Sequence, residues 1–320
     1  MPALLAHDFF AQDAFGSVLD SVGIRSSDER DAFLLGSQGP DPLFYLVLLP
    51  PLDAFRELGY RMHKSGPSSL LVAMRSAVDG LPDGDQAVAR AYLAGFACHY
   101  LLDRTIHPLV YFWERGICQA GVLDLDITDA SAVHAEIERD LDEMVLFTKR
   151  NQTILAYRPY EEVLRASEDV LNTIGRVYFS AAVATIAQGE PTAVRVFPIA
   201  VACYRRALRA LYSPKGMKKR VVGFTERAAF RERYAISQAM AYLPRAEATS
   251  VYDNRDNRPW RNPFTGEVHY ESFWELYNTA LDQASHVVAA ILDDDFDRDK
   301  AFVLTEGLNF SGEVVEQPTE

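Results

Sequence analysis

The chain has 320 residues, 48% of them hydrophobic and 24% charged, with a formal net charge of −13. This is the composition of an ordinary globular protein, long enough for one large domain or two small ones. The acidic balance argues against loose binding to nucleic acid or anionic lipid, although several bound dications would neutralise part of it and leave room for a phosphate-bearing substrate. Three widely spaced cysteines, Cys98, Cys118 and Cys203, argue against a disulfide framework and suit a reducing compartment.

The amino terminus reads Met1-Pro2-Ala3-Leu4-Leu5-Ala6-His7-Asp8. It lacks a basic region, and its apolar run is too short for a signal peptide. No stretch reaches the ~18 apolar residues of a membrane span. A cytoplasmic protein is expected. Helical periodicity predicts short helices over Phe9 to Val22 and Asp28 to Leu35, the second capped by Ser26 or Ser27. Gly36 to Pro42 is a turn-rich loop in which prolines flank Asp41 and stiffen it. That carboxylate is either aimed at a ligand or caps the next helix.

Leu52 to Lys64 reads as a helix with His63 at its end, where a lone histidine also suits the helix dipole. Ser68 to Val78 is a further helix. A break at Gly80–Asp85 precedes a long helix from Ala87 to about Phe112. Within it, His99, Asp103 and His107 are four residues apart. On a helix of 3.6 residues per turn each step of four turns the side chain by about 40°, so the three form one column. A polar column among apolar residues requires partners, either a metal or one another. A helix starting near Thr128 or Asp129 carries His134 and Glu138 at the same spacing, which also fits a surface pair. Glu136, Asp140 and Asp142 are assigned to other, solvated faces.

The second half predicts helices over Tyr160 to Gly189, Pro191 to Tyr212, Thr225 to Tyr242, Glu271 to Asp293 and Asp297 to Leu308. Lys215 to Arg220 is a basic cluster. Ala246 to His269 is a long irregular segment of the kind that often carries function. The expected architecture is all-α: one multi-helix domain over residues 1–310, followed by a disordered acidic tail over 311–320. His269 and His286 have no ligand-like neighbours and are expected to be structural. Of the aromatics nearest these motifs, Phe44, Tyr45, Tyr100 and Trp260 could stack on a substrate, but core packing is the plainer role.

Five of the seven histidines fall within residues 1–134. The run His99-Tyr-Leu-Leu-Asp103-Arg-Thr-Ile-His107-Pro108 follows Gln38-Gly-Pro-Asp41-Pro42 and Met62-His63, and precedes His134-Ala-Glu-Ile-Glu138. This order resembles the zinc-dependent phospholipase C family, which shares an all-helical trinuclear zinc fold with the S1/P1 nucleases. The resemblance covers residues 1–145 and implies two to three zinc ions. The first would be held by Asp41, His63, His99 and Asp103, and the second by His107, His134 and Glu138. The third would be held by His7 and a bridging Asp103. Secreted family members complete the third site with an amino-terminal tryptophan, which this chain lacks. Removal of Met1 would leave the Pro2 amine and carbonyl to take its place.

The chemistry implied is phosphoric ester hydrolysis. Hydroxide between the first two ions would be the nucleophile, the third ion would stabilise the leaving oxygen, and Asp41 would double as general base. The expected substrate is a small phosphodiester or a phospholipid, with no stable nucleic-acid partner. An S1/P1-like nuclease and a non-catalytic metal-binding protein are the alternatives.

Overall fold

The computed structural model describes residues 3–49, 52, 55–64, 66–121, 125–185, 193–212 and 239–317. Helix α1, Leu4–Val22, ends where Gly23 adopts φ +70° and its N–H caps the Leu19 carbonyl. The start of α1 is capped from a distance: the Asp142 carboxylate accepts the Leu5 and Ala6 N–H groups at 2.9 and 2.7 Å. Asp142 is therefore fully buried and not the solvated charge expected. It lies one helical step beyond Glu138 and continues the His134–Glu138 column.

Helix α2, Ser27–Gly36, is capped by Ser26 and runs against α5, Asp83–Ala120. The contact is close because Gly36 faces Gly95. A Cβ on Gly36 would lie 2.2 Å from the Tyr92 carbonyl oxygen, and one on Gly95 would lie 2.0 Å from that of Phe33. This apposition brings the turn after α2 down onto His99. Asp41, expected in a turn-rich loop ending at Pro42, instead opens a short 3-10 helix, Asp41–Leu48. Helices α3, Arg56–Lys64, and α4, Pro67–Asp79, follow.

Helix α5 is the axis of the molecule and contacts α1, α2, α4 and others. Tyr92, Leu93, Phe96, Tyr100 and Leu101 are at most 1% exposed. Each such side chain contributes about 1.5–3 kcal/mol by burial. The helix continues past Phe112, beyond the expected end, with Pro108 inside it. Proline leaves the carbonyl four residues back without its helical donor. Here that carbonyl belongs to Arg104, and Gly312 packs so tightly that a Cβ would be 2.9 Å from it and 2.7 Å from the Pro108 ring.

Helix α6, Ala130–Arg150, has Asp129 at its N-cap position, one of the two caps expected, but with no side-chain cap bond; the side-chain cap is Asp126, at the start of the preceding 3-10 turn, Ile127–Asp129. The single helix expected from Tyr160 is interrupted. A short α7, Pro159–Glu162, ends before Leu164, which adopts φ +62°, and α8 then spans Glu168–Thr185. Helix α9 is Val196–Leu211. The basic cluster at 215–220 and most of the helix expected over 225–242 lie outside the described residues. The irregular segment contains a small antiparallel hairpin, β1 Trp260–Arg261 and β2 Val268–His269. It is organised by Asn254, whose amide donates to the carbonyls of Arg258, Tyr270 and Glu271.

Helices α10, Phe273–Leu292, and α11, Arg298–Thr305, close the order, each with a side-chain cap. The fold is all-α apart from that hairpin among the described residues. One connected apolar core joins residues from Leu4 to Phe310. The tail expected to be disordered is tied to the body of the chain as far as Glu316. Val315 and Glu316 donate backbone N–H groups to the Gly307 carbonyl, and Leu308 bridges Val314. Residues 318–320 lie outside the described set. No helix among the described residues is long and apolar enough to cross a membrane.

Candidate metal centre

Four elements meet around the middle of α5. Helix α1 brings His7, the 3-10 helix brings Asp41, α3 ends with His63, and α6 brings His134 and Glu138. They converge on the column His99, Asp103 and His107. His63 Nε2 lies 3.1 Å from Asp41 Oδ1, and His99 Nε2 lies 3.3 Å from Asp103 Oδ2. The cross distances are 3.9 Å for His63 to Asp103 and 4.0 Å for His99 to Asp41. In the second group, Glu138 Oε1 is 3.3 Å from His107 Nε2 and 3.4 Å from His134 Nε2.

Asp103 stands between the groups. Its Oδ2 faces His63 and His99, while its Oδ1 is 3.0 Å from His7 Nε2 and 3.7 Å from His107 Nδ1. His7 also stacks near His99, with ring centroids 4.2 Å apart, and can join Asp41 and His99 in a further group. In each of three such groups, one ligand atom per residue lies within 4.8 Å of the others. The site residues named from the sequence are thus gathered in one place, except Pro2, which lies outside the described residues.

Hydrogen bonding outside the clusters orients four of the imidazoles. Nδ1 of His63 faces the Gly59 carbonyl at 2.8 Å, Nδ1 of His99 that of Ser37 at 3.0 Å, and Nδ1 of His107 that of Phe310 at 2.7 Å. His134 uses a carboxylate instead: its Nδ1 is 2.7 Å from Glu114 Oε2. A proton on each Nδ1 leaves the Nε2 lone pair directed into the cluster, the arrangement typical of a histidine ligand. The chain conformation at Gly39 serves the same end. It adopts φ +50°, and a Cβ there would fall 2.2 Å from the His99 ring.

The charges are tightly balanced. Burial pushes His99 down to about 4, so its imidazole is neutral. Burial also works against a charge on His107, but Asp103 and Glu138 lift it to about 9. His7 is likewise raised, with Asp103 overcoming the cost of burial. Burial opposes ionisation of Asp103 and Glu138 too, yet both are held below the usual carboxylate range, Asp103 by His107, His99 and His7 and Glu138 with only part of the effect coming from His134 and His107. These buried carboxylates therefore rely on imidazolium protons, which a metal cation would release on binding.

The residues fit a metal. Nitrogen and oxygen donors bound to zinc at about 2.0 Å in a tetrahedron are roughly 3.3 Å apart. The closest donor pairs across both groups fall between 3.1 and 3.4 Å. His7 Nδ1, His99 Nε2 and Asp41 Oδ2 are buried with no hydrogen-bond partner among the described residues. A polar atom in that position is costly unless an ion or water meets it. The imidazole and carboxylate set, free of thiolate, suits a catalytic zinc site. The three cysteines are buried, unpaired in disulfides and not part of these groups.

A cleft of about 290 Å³ opens onto the groups, with Asp41, His63, His107 and His134 in its wall. Phe44 lines it, whereas the other three aromatics named from the sequence are packed elsewhere. Tyr45 stacks on Tyr204, and Tyr100 and Trp260 donate to the carbonyls of Leu308 and Glu271. Tyr60, Lys64, Tyr111, Glu114 and Ser311 also line the cleft and were not anticipated. Tyr111 and Glu114 extend the α5 column by steps of four and three, so following the column beyond His107, and the helix beyond Phe112, would have found them. The irregular segment braces this end of α5: Arg115 donates to the Pro263 carbonyl at 2.8 Å, and Phe264 meets Tyr111 edge-on. Of the remaining histidines, His269 stacks on Trp260 and His286 is exposed on α10. No family model, curated protein or solved structure matches this chain.

Proposed function

We propose that this protein is a metal-dependent phosphodiester hydrolase of the zinc-dependent phospholipase C type. The observation that carries the reading is Asp103, a buried carboxylate with one oxygen toward His63 and His99 and the other toward His7 and His107. Such a group suits a bridge between neighbouring cations. Asp41, His63, His99 and Asp103 would hold one ion, and His107, His134 and Glu138 a second. His7, near Asp103, Asp41 and His99, would contribute to a third.

Zinc supplies Lewis acidity and a nucleophile at neutral pH when bound in such a site. The chain supplies the rest. Asp41 directs Oδ1 toward His63 and keeps Oδ2 buried without a hydrogen-bond partner among the described residues, so it can accept a proton as a general base. The cleft, of about 290 Å³, has room for a phosphodiester headgroup, and Lys64, among its lining residues, offers a cation for phosphate charge. Phe44 and Tyr60, whose rings are 4.7 Å apart, form an apolar wall beside His63.

The test is zinc-dependent turnover of bis(p-nitrophenyl) phosphate. The wild type should be active, and His99→Ala, Asp103→Ala and His134→Ala should each lose activity by at least about a thousandfold. Turnover that survives complete metal removal refutes the proposal. A short-chain phosphatidylcholine compared with a single-stranded oligonucleotide then separates lipase from nuclease action. A zinc-loaded protein inert toward all three substrates points to a non-catalytic metal protein.

A further inference from the structure

Phe310 lies 203 positions after His107 yet touches both halves of the centre. Its carbonyl accepts the His107 Nδ1–H at 2.7 Å, and its N–H donates to the His63 carbonyl at 3.4 Å. Its ring, 1% exposed, lies 4.9 Å from the His63 ring and 5.7 Å from the His99 ring. The next residue, Ser311, donates its hydroxyl to the Tyr111 hydroxyl at 3.3 Å and lines the cleft. The segment is held in place at several points. Asn309 accepts the Ser311 and Glu313 N–H groups, and Gly312 presses on the Arg104 carbonyl freed by Pro108. The Glu316 carboxylate accepts from the Ser68 N–H and from Arg298, both at 3.1 Å, which ties it to the first turn of α4 and to α11.

We propose that residues 306–316 form a strap that belongs to the metal centre, with Phe310 as a positioning residue that fixes His63 and His107 in their ligating orientations. The inference rests on reading the clusters as metal sites. An imidazole held at Nδ1 presents Nε2 in one direction; without that bond the ring turns about its side-chain torsions and must be ordered again when the ion binds. Because the strap grips a histidine of each group, its docking and metal affinity are linked, and the linkage is reciprocal. Metal bound at the clusters tightens the strap, and a docked strap tightens the metal.

The experiment uses the full chain as wild type, Glu316→Ala, Glu316→Gln and Phe310→Ala. Zinc affinity is read by competition with a chromophoric chelator, and amide hydrogen exchange is followed over residues 306–316 with and without zinc. Glu316→Ala and Phe310→Ala should weaken zinc binding by about tenfold or more while far-ultraviolet circular dichroism stays unchanged. Glu316→Gln, which retains an acceptor for the Ser68 N–H, should recover part of the loss. In the wild type, zinc should slow exchange across the strap, a readout that needs no variant. Wild type that loads zinc with no change in strap exchange, or variants that bind zinc as tightly as wild type, overturn the strap alone. Wild type that takes up no zinc overturns the metal reading and the strap with it.

Discussion

Glu114 offers a sharp perturbation of the site, because among the described residues it is the one side chain outside the cluster that hydrogen-bonds a cluster imidazole. His63, His99 and His107 lean on backbone carbonyls that no substitution removes. His134 leans on the Glu114 carboxylate at 2.7 Å, and both residues are 7% exposed. A hydrogen bond to a charged, buried partner is worth about 1.5–3 kcal/mol. In Glu114→Ala the imidazole loses both its orientation and the negative charge that strengthens Nε2 as a donor. Zinc affinity at the His107–His134–Glu138 group should fall about 10–100-fold, equivalent to roughly 1.4–2.7 kcal/mol. Glu114→Gln keeps an acceptor oxygen without the charge and should fall between wild type and alanine. Affinity at the Asp41–His63–His99–Asp103 group should not change, so chelator titration should resolve one weakened ion and leave the others intact. Equal zinc affinity in all three proteins, with the fold preserved, would show that Glu114 does not orient a ligand.

Gly39→Ala should act from the opposite side. Left-handed backbone costs a non-glycine residue about 1–2 kcal/mol, and the added methyl would strike the His99 ring. Loss of metal from the first group with helical content retained is expected by elemental analysis, and unchanged loading would count against the close approach. Asp8, buried beside Gln12, predicts a pH effect. Burial lifts its carboxyl from 3.8 to about 7. Between those values the folded chain keeps a proton that the unfolded chain releases, so stability falls as pH rises through that window and levels off above it. The whole change corresponds to roughly 4 kcal/mol. Asp8→Asn should be more stable than wild type at pH 8 in urea unfolding, and the difference should shrink toward pH 4. A difference independent of pH would mean that the carboxyl titrates normally.

The clustering of imidazoles and carboxylates was more legible in the chain than the fold around it. Spacing of four on a helix reports a shared face directly, so His99, Asp103 and His107, and His134 with Glu138, could be read as columns before any packing was known. Where the column was cut short the reading failed. The helix was expected to end near Phe112, which left out Glu114, and the column was not followed past His107 to Tyr111; α5 runs on to Ala120 and absorbs Pro108 with Gly312 against the freed carbonyl. Asp142 was assigned to the wrong face, and its role as a cap for α1 depends on a partner 137 positions away. Phe310 carries no signal at all, because its contribution, a backbone carbonyl to His107 and a ring against His63 and His99, is delivered by long-range docking. The break at Leu164 and the Gly36–Gly95 contact likewise depend on packing that local pattern does not encode.

Binding of a cluster of ions by the one buried, Asp103-centred set of imidazoles and carboxylates is open to direct measurement. Elemental mass spectrometry of the desalted full-length protein tests this most directly, after equilibration with zinc and removal of loosely held metal. Two to three zinc ions per chain are expected, with fewer in Asp103→Ala and the second site lost in His134→Ala. Wild-type protein that emerges with no zinc, or variants that retain the wild-type count, would contradict it.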